Sequence, residues 1–405
     1  MVLHPNQNKA VEVGAQYRLP TTSSIVSRST VKVLPSNGTS FTQNQQITIE
    51  IPSVGFLDNQ ASYLSFKLST DADQTLVEDN SQSYIERVRV STGSRNEVLC
   101  DIQNYNLLNG VLETLMTHKT YKEGAGDILE GTNTTVVTTA TAPSQRRCIQ
   151  LLGGILDNAT YLPLKYMQGV TVDIFLSSDA TCGATGLTIS DISYVCEFLQ
   201  MDAQYTGAFE QQFLTSGIKL AFDTYTTSQT TVNSTNVNKQ ITENVRSLKT
   251  VYTVQQQSTD PINVFRQART KSIQYKFAGS YIPAQAINAE NGGAECFKET
   301  MKAVNLSGDQ SYDIDITKDE WSDDKNLVDQ TGFGKKFIVA INLEKSPSQS
   351  MSGSDVSKNP LSVALTYQAD IFGAKNPATT AVTMTNFVHY DAIAVFQANG
   401  TTIIY

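Results

Sequence analysis

The sequence is short of charge, of histidine and tryptophan, of paired cysteines and of long apolar runs, and each shortage closes a class of function. Charged residues make up 17% of the 405, against ~25% in ordinary globular chains. Thr, Ser, Asn and Gln take their place, which suits strands and polar loops more than helices. The net charge of −9 argues against a broad nucleic-acid-binding surface, though not against a local basic segment. The five cysteines, Cys100, Cys148, Cys182, Cys196 and Cys296, are odd in number and scattered, with no CxxC pair and no zinc spacing. Free thiols in a reducing compartment are therefore expected. No apolar run approaches the ~20 residues that span a bilayer. Met1 to Ala10 is polar where a signal peptide carries an apolar core, so the expectation is a soluble protein made in the cytosol.

The chemistry-bearing residues are equally sparse. His4, His118 and His389 are the only histidines. His389 has Asp391 two residues on, which places both on one face of a strand, but a triad also needs a nucleophile beside the base. No G-x-S-x-G elbow, P-loop or G-x-G-x-x-G is present. The acidic stretch Asp313-x-Asp315-x-Thr317-x-Asp319 offers the oxygen ligands that calcium prefers, yet it lacks the sixth-position Gly and ends in Asp324 instead of Glu. It reads as a solvated charged loop. The N-x-[ST] sequons at Asn37, Asn133, Asn158, Asn233, Asn305 and Asn399 read as chance matches in an Asn/Thr-rich chain. No catalytic, cofactor-binding or metal residue is assigned, and the chain is not expected to be an enzyme.

What is present is alternation. In the stretch Leu151 to Met201, Val170, Val172, Ile174 and Leu176 fall on one face, and Ile192, Tyr194, Cys196 and Phe198 repeat the pattern. Period two marks strands with one face on a core. Before it, residues 1 to about 45 read as an arm: polar, with Pro5, Pro20 and Pro35. Lys9, Arg18, Arg28 and Lys32 against Glu12 make it net +3, and it is too poor in apolar residues to fold alone. Strands follow at Ile47–Ile51, Leu64–Leu68 and Tyr84–Val90. Asp101 to His118 then changes to three-to-four spacing, a helix with Asp101 near its N-cap. Lys119 to Ser144 reads as a long surface loop.

A second block begins near Gly217. Ile218, Leu220 and Phe222 alternate, a polar loop is expected over Thr224 to Gln240, and Val245 to Val254 is extended. Ile273, Tyr275 and Phe277 alternate before a Gly279-Ser280 turn, and Ala294 to Val304 reads as a helix. Further strands centre on Val339, Val363 and Val395, with an Asn399-Gly400 turn. Strand, strand, strand, helix thus occurs twice: Ile47 to Ile218 is 171 positions, Val88 to Tyr275 is 187, and Leu112 to Phe297 is 185. A chain of this length exceeds the ~250–300 residues at which one core stops growing, so two domains are expected. Many short strands with polar connections indicate a sandwich or jelly roll.

Several stretches carry a resemblance: YIERVRVSTGSRNEVLCDIQNYNLL, YLPLKYMQGVTVDIFLSSD followed by ISDISYVCEFLQMD, FIVAINLEKSPSQSMSGSD, and FVHYDAIAVFQANGTTIIY. With the duplicated architecture they cover most of Gln46 to Tyr405. The sequence resembles the double jelly-roll major capsid proteins of adenoviruses, virophages, Polinton-like elements, large DNA viruses and tailless phages. No single motif is diagnostic; order and spacing carry the match. The resemblance implies an all-β fold of two consecutive jelly-roll β-sandwiches with short inserted helices. It divides the chain into an arm over 1–45, a first jelly roll over 46–210 and a second over 211–405. It also implies homotrimers packed against neighbouring capsomers in a virion, with penton and minor capsid proteins as partners. An internal membrane or the genome would be reached through the arm, and there is no small-molecule substrate or cofactor.

A physical argument leads to the same function. Two similar sandwiches in one chain present two similar sets of side surfaces, and three chains about a three-fold axis present six. Such a near-hexagonal tile fills a lattice with few distinct contacts. The competing reading is a carbohydrate-binding or carbohydrate-cleaving β-sandwich. That would need aromatic platforms or two carboxylates ~5–10 Å apart. The only tryptophan, Trp321, sits in an expected loop, which weakens it.

Overall fold

The computed structural model of the chain describes residues 23–69, 74–75, 80–95, 97–132, 136–137, 145–178, 186–232, 234–257, 260–308, 312–322, 335–345, 351–358, 360–367, 382–398 and 400–405. Two groups of strands follow one another. The first holds β1 (Ile25–Val33), β2 (Ser40–Thr42), β3 (Gln46–Ile51), β4 (Phe56–Leu57), β5 (Tyr63–Ser69), β6 (Gln74–Thr75), β7 (Ile85–Thr92), β8 (Val98–Gln103), β9 (Val136–Val137), β10 (Gln145–Ile149), β11 (Val170–Leu176) and β12 (Thr188–Met201). The second holds β13 (Ile218–Val232), β14 (Asn236–Ile241), β15 (Leu248–Gln257), β16 (Thr270–Phe277), β17 (Ser280–Asn288), β18 (Val339–Asn342), β19 (Leu361–Tyr367), β20 (Val382–Gln397) and β21 (Gly400–Ile404). The helix Ala203–Thr215 joins them, and the boundary expected at 210/211 falls inside it.

Each group folds into two main antiparallel sheets, and in the first β6 and β9 pair as a separate two-stranded ribbon. In the first the orders are β1-β12-β5-β10, with β2 and β4 also on β12, and β3-β11-β7-β8. In the second they are β13-β20-β15-β18, with β21 also on β20, and β14-β19-β16-β17. Read in parallel, the two halves have one plan: β1 corresponds to β13, β3 to β14, β5 to β15, β7 to β16, β8 to β17, β10 to β18, β11 to β19 and β12 to β20. The helix Tyr105–Met116 follows β8 as the helix Ala294–Ala303 follows β17. Among the described residues no sheet mixes strands of the two halves.

The alternating residues explain the pairing. In register across β3, β11, β7 and β8 run Ile47–Ile174–Val88–Ile102 and Ile49–Val172–Val90–Cys100. All eight are buried in one apolar cluster with Leu64, Phe66, Leu68, Tyr194 and Phe198 of the facing sheet. Across β14, β19, β16 and β17 the equivalent row is Val237–Leu365–Ile273–Ile287. Burying such a side chain contributes roughly 1.5–3 kcal/mol. A one-residue slip would turn a whole row out of the core, which is what fixes the register.

Several expectations are corrected. The arm expected over 1–45 does not reach 45: residues 25–33 form β1 and 40–42 form β2, both paired to β12, and residues 1–22 lie outside the described residues. Val, Ile and Thr favour an extended chain, but no residue of β1 is buried, so its polar pattern concealed it. Arg28 is also engaged inside the fold, 2.6 Å from Asp58 and 3.5 Å from Glu197. The repeat register shifts accordingly. Ile218 opens the counterpart of β1, so the relevant spacing is Ile25 to Ile218, 193 positions, and not Ile47 to Ile218.

Asp101 lies in β8, where it accepts from Arg87 Nε at 2.7 Å. The helix begins at Tyr105 after Asn104, whose φ of +52° is left-handed and whose side chain makes no cap. The polar loop expected over 224–240 is largely strand, β13 running to Val232 and β14 starting at Asn236. Its Thr-rich sequence is a good strand former with one wet face. The turn placed at Gly279-Ser280 is at 278–279, and Ser280 opens β17, a strand the alternation did not reveal. The loop expected over 119–144 contains the helical turns Lys119–Lys122 and Ala125–Leu129. Residues 133–135 and 138–144 of it lie outside the described set.

Candidate functional site

A dense ionisable cluster around the sequence-flagged His389 and Asp391 lies where the two halves meet. The β13–β20 register sets Asp223 opposite Asp391 and Tyr225 opposite His389. On the other side of β20, β15 slips register between Leu248 and Thr250. Such a bulge re-aims a side chain, and the residue it releases is Lys249. Lys249 Nζ stands 2.8 Å from Asp223 Oδ1, 2.8 Å from Asp391 Oδ1 and 4.0 Å from Glu344 Oε1. Ser247 Oγ donates to Asp391 Oδ2 at 2.6 Å and accepts from the Gly353 amide at 3.0 Å. His389 Nε2 lies 3.4 Å from Asp223 Oδ2, and its ring stacks on Tyr225 with centroids 4.6 Å apart.

The first half closes this cluster from above. Asn158 Nδ2 donates to the Ala221 carbonyl at 2.6 Å. Gly153, at φ +73°, lies against the Tyr225 ring, where a Cβ would come within 3.1 Å. Gly153, Asn158, Asp223, Tyr225, Lys249, His389 and Asp391 line a cleft of about 570 Å³ that is open to solvent on one side. Burial works against the Asp223 charge, but contacts from His389, Asp391 and Lys249 outweigh it and hold its pKa below the usual carboxylate range. Burial, and then the facing Asp223 carboxyl, push Asp391 up. Lys249 is raised, because the two aspartates outweigh its desolvation. The cluster is a closed ion-pair network tying β13, β15 and β20 together. His389 and Asp391 share the cavity as expected, but the carboxylate nearest His389 is Asp223. The Ser247 hydroxyl is committed to Asp391 and Gly353. Asp223, Ser247 and Lys249 carried no sequence signal, since only strand pairing brings them to Asp391.

The other flagged residues have structural partners. His118 and the acidic stretch, read separately in the sequence, are joined: His118 bridges to Ile314, and its ring lies 4.2 Å from that of Tyr312. Thr120 Oγ1 donates to Asp313 Oδ2 at 2.9 Å, and Asp315 faces Lys336 and Lys122 at 3.6 and 3.9 Å. The stretch is not merely a solvated loop. Thr317 and Glu320 form a capping box for the helical turn Lys318–Trp321. Trp321 is buried between Phe297 and Phe337, at 4.8 and 5.0 Å, and donates to the Gly293 carbonyl. Among the described residues no group of three His, Cys, Asp or Glu is placed to hold a metal. Of the sequons, Asn37 holds the Thr48 amide and Gln46 carbonyl, Asn158 serves the seam, and Asn305 occupies a left-handed turn. His4, Asp324, Asn133, Asn233 and Asn399 lie outside the described residues.

Cys100, Cys148, Cys196 and Cys296 are free thiols, and Cys182 lies outside the described residues. Burial pushes Cys100, Cys196 and Cys296 up to about 12, whereas Cys148 is only half-buried. Because thiolate is the reactive form, a thiol reagent at pH 8 should modify Cys148 in the folded protein and spare those three. Peptide mapping after a timed exposure checks this, and equal labelling of all four would refute it. The sign for stability follows. These pKa values exceed the unfolded ~8.5, so the contribution is complete below that value and is lost as pH rises toward about 12.

No family model matches the chain, and no curated protein matches it. Solved structures do. The chain is similar to the capsid protein of the PBCV-1 virus capsid, with a TM-score of 0.66 at 10% identity over 96% of this chain and 99% of that one. The Sputnik virophage structure gives 0.54 at 12% identity, covering 100% and 93%. The mavirus major capsid protein gives 0.56 at 10% identity, covering 100% and 96%. The fold is the double jelly roll. At these identities the likeness is one of backbone, and it runs through both halves. The repeated sheet plan described above is the repeat of the double jelly roll itself: two jelly rolls of the same strand order, each with a helix after its β8-type strand.

Proposed function

We propose that the chain is a structural shell subunit, a major capsid protein that forms pseudo-hexameric homotrimers tiling an icosahedral shell, and not an enzyme. The observation that carries this reading is the end-to-end match of both jelly rolls to capsid proteins of large DNA viruses and virophages. Two units of one plan in each chain also supply the six similar side surfaces that a hexagonal tile needs. The division proposed is two jelly-roll units meeting near the helix Ala203–Thr215, preceded by an arm that ends before β1. On this reading the chain is made in the host cytosol and ends in the virion, with penton and minor capsid proteins as further partners. The arm's reach toward a membrane or genome loses part of its electrostatic motive, since Arg28 is paired within the fold. The burial of Trp321 means that the single indole does not serve as a sugar platform, which tells further against the carbohydrate reading.

Light scattering tests the proposal. The expected species has three times the 44.3 kDa chain mass, and negative-stain images of concentrated material should show hexagonal tiles or closed particles. A monomer across a broad concentration range would overturn it.

A further inference from the structure

A second cleft, of about 590 Å³, lies in the first half, between the helix Tyr105–Met116, the helical turns Lys119–Lys122 and Ala125–Leu129, and the strands β5 and β10. Among the described residues it shares no lining residue with the seam cleft. Tyr105, Asn109 and Glu113 follow one another at four-residue steps, which puts them on one face of the helix. The outer two have partners. Tyr105 donates to Gln82 Oε1 at 2.6 Å and accepts from the Leu152 amide at 2.7 Å. Glu113 accepts from Asn80 Nδ2 at 2.8 Å. Asn109, between them, lines the cleft and is only 2% exposed. Among the described residues neither its amide nitrogen nor its amide oxygen has a hydrogen-bond partner. An unpaired buried amide costs free energy, and native folds keep few of them.

The rest of the lining narrows what could pair with it. Tyr63, Tyr121 and Leu129 are exposed apolar groups on the cleft wall, suited to a ring. Glu113 and Glu130 also line it and repel an anion, and Lys122, 3.7 Å from Glu113, offsets only one of them. The carboxylates already accept bonds from the chain: Glu130 takes Asn80 and Gln82 at 3.1 Å each and Tyr121 at 3.3 Å. The vacant pair is the uncharged donor and acceptor of Asn109. We propose that this cleft binds a small uncharged aromatic molecule carrying a donor and an acceptor on one edge, of the carboxamide class. Its carbonyl would accept from Asn109 Nδ2 and its N–H would donate to Asn109 Oδ1. The terminal torsion of Asn is broad, so the amide plane can turn to meet it. The inference does not depend on the shell reading. A ligand here bridges the helix Tyr105–Met116 to the turns after it, and binding to the folded state alone stabilises the fold.

The test uses the full chain with three probes: benzamide, toluene, which has the ring without the edge, and benzoate, which replaces the edge by an anion. Isothermal titration should show binding of benzamide alone. Cys148 lines the same cleft, so its alkylation at pH 8 reports occupancy independently. Benzamide at ten times its Kd should slow that alkylation about tenfold, and the controls should leave it unchanged. Asn109→Leu supplies the second arm. It removes the unpaired amide at similar volume, so the variant's thermal midpoint without ligand should hold or rise. Its affinity for benzamide should fall about tenfold or more, the worth of two lost hydrogen bonds. Toluene or benzoate binding as well as benzamide would show a cavity without the proposed selectivity and overturn the inference. So would no benzamide binding, or a lower midpoint for Asn109→Leu, which would mean that the amide is paired within the fold.

Discussion

Replacing Lys249 by methionine should cost the folded protein about 3–5 kcal/mol, the range seen when one partner of a buried ion pair is removed. The Lys249 side chain is 13% exposed and that of Asp391 3%, so water cannot replace the ammonium at Asp391, while Asp223, 49% exposed, keeps part of its hydration and places the loss toward the lower end of that range. Asp223 and Asp391 would then face each other without the cation that holds them. Urea denaturation at pH 7 measures the loss. Adding Asp391→Asn should recover a large part of it, because the amide removes the repulsion. A loss below about 1 kcal/mol would mean that the network is not the tie across β13, β15 and β20 described above.

The pH dependence of this variant has a definite sign. Asp391 is raised above its unfolded value, so as pH falls the folded state takes up this proton before the unfolded state does. The variant's deficit should therefore shrink as pH drops from 7 toward the unfolded carboxylate value of ~3.9. In the unmodified protein the depressed Asp223 contributes stability that is present above ~3.9 and lost as pH falls through its lower folded value.

The second large effect is expected at Ile174. It is fully buried in β11, with Ile47 on one side and Val88 on the other. Ile174→Ala removes three carbons from the middle of the row and should cost about 4 kcal/mol, within the ~2–5 kcal/mol range for cavity-forming substitutions. Val26→Ala, at a side chain 69% exposed on β1, should change monomer stability by no more than about 0.5 kcal/mol. Denaturant midpoints of the two variants at equal protein concentration test the contrast. Comparable losses would show that β1 belongs to the core of the first half.

What was legible followed from local rules. Alternation at Ile47–Ile51, Val170–Leu176, Ile273–Phe277 and Leu361–Tyr367 marked strands, because a half-buried strand must repeat every two residues. The helix read at Ala294 to Val304 is present over Ala294–Ala303. The order of these elements, with the resemblance, was enough for a double jelly roll. The signal failed where burial was missing or came from elsewhere. β1 and β17 show almost no apolar face within one chain, so their pairing to β12 and β16 left no periodic trace. The Thr-rich continuation of β13 was polar for the same reason. Trp321 looked like a loop residue, because the Phe297 and Phe337 rings that bury it are separated from it in sequence.

The seam cluster belongs wholly to the second kind of information. Asp223, Lys249 and Asp391 are unremarkable charges in three separate strands. Their meeting depends on the β13–β20 register and on one bulge in β15. The sequence alone determined which segments alternate, where charge is scarce, and that the plan occurs twice, because each of these is a property of neighbours along the chain. Which strand lies beside which, which charges are buried together, and which two strands were left bare were decided only by the tertiary structure. Those outcomes depend on contacts between residues far apart in sequence, and local pattern carries no record of them.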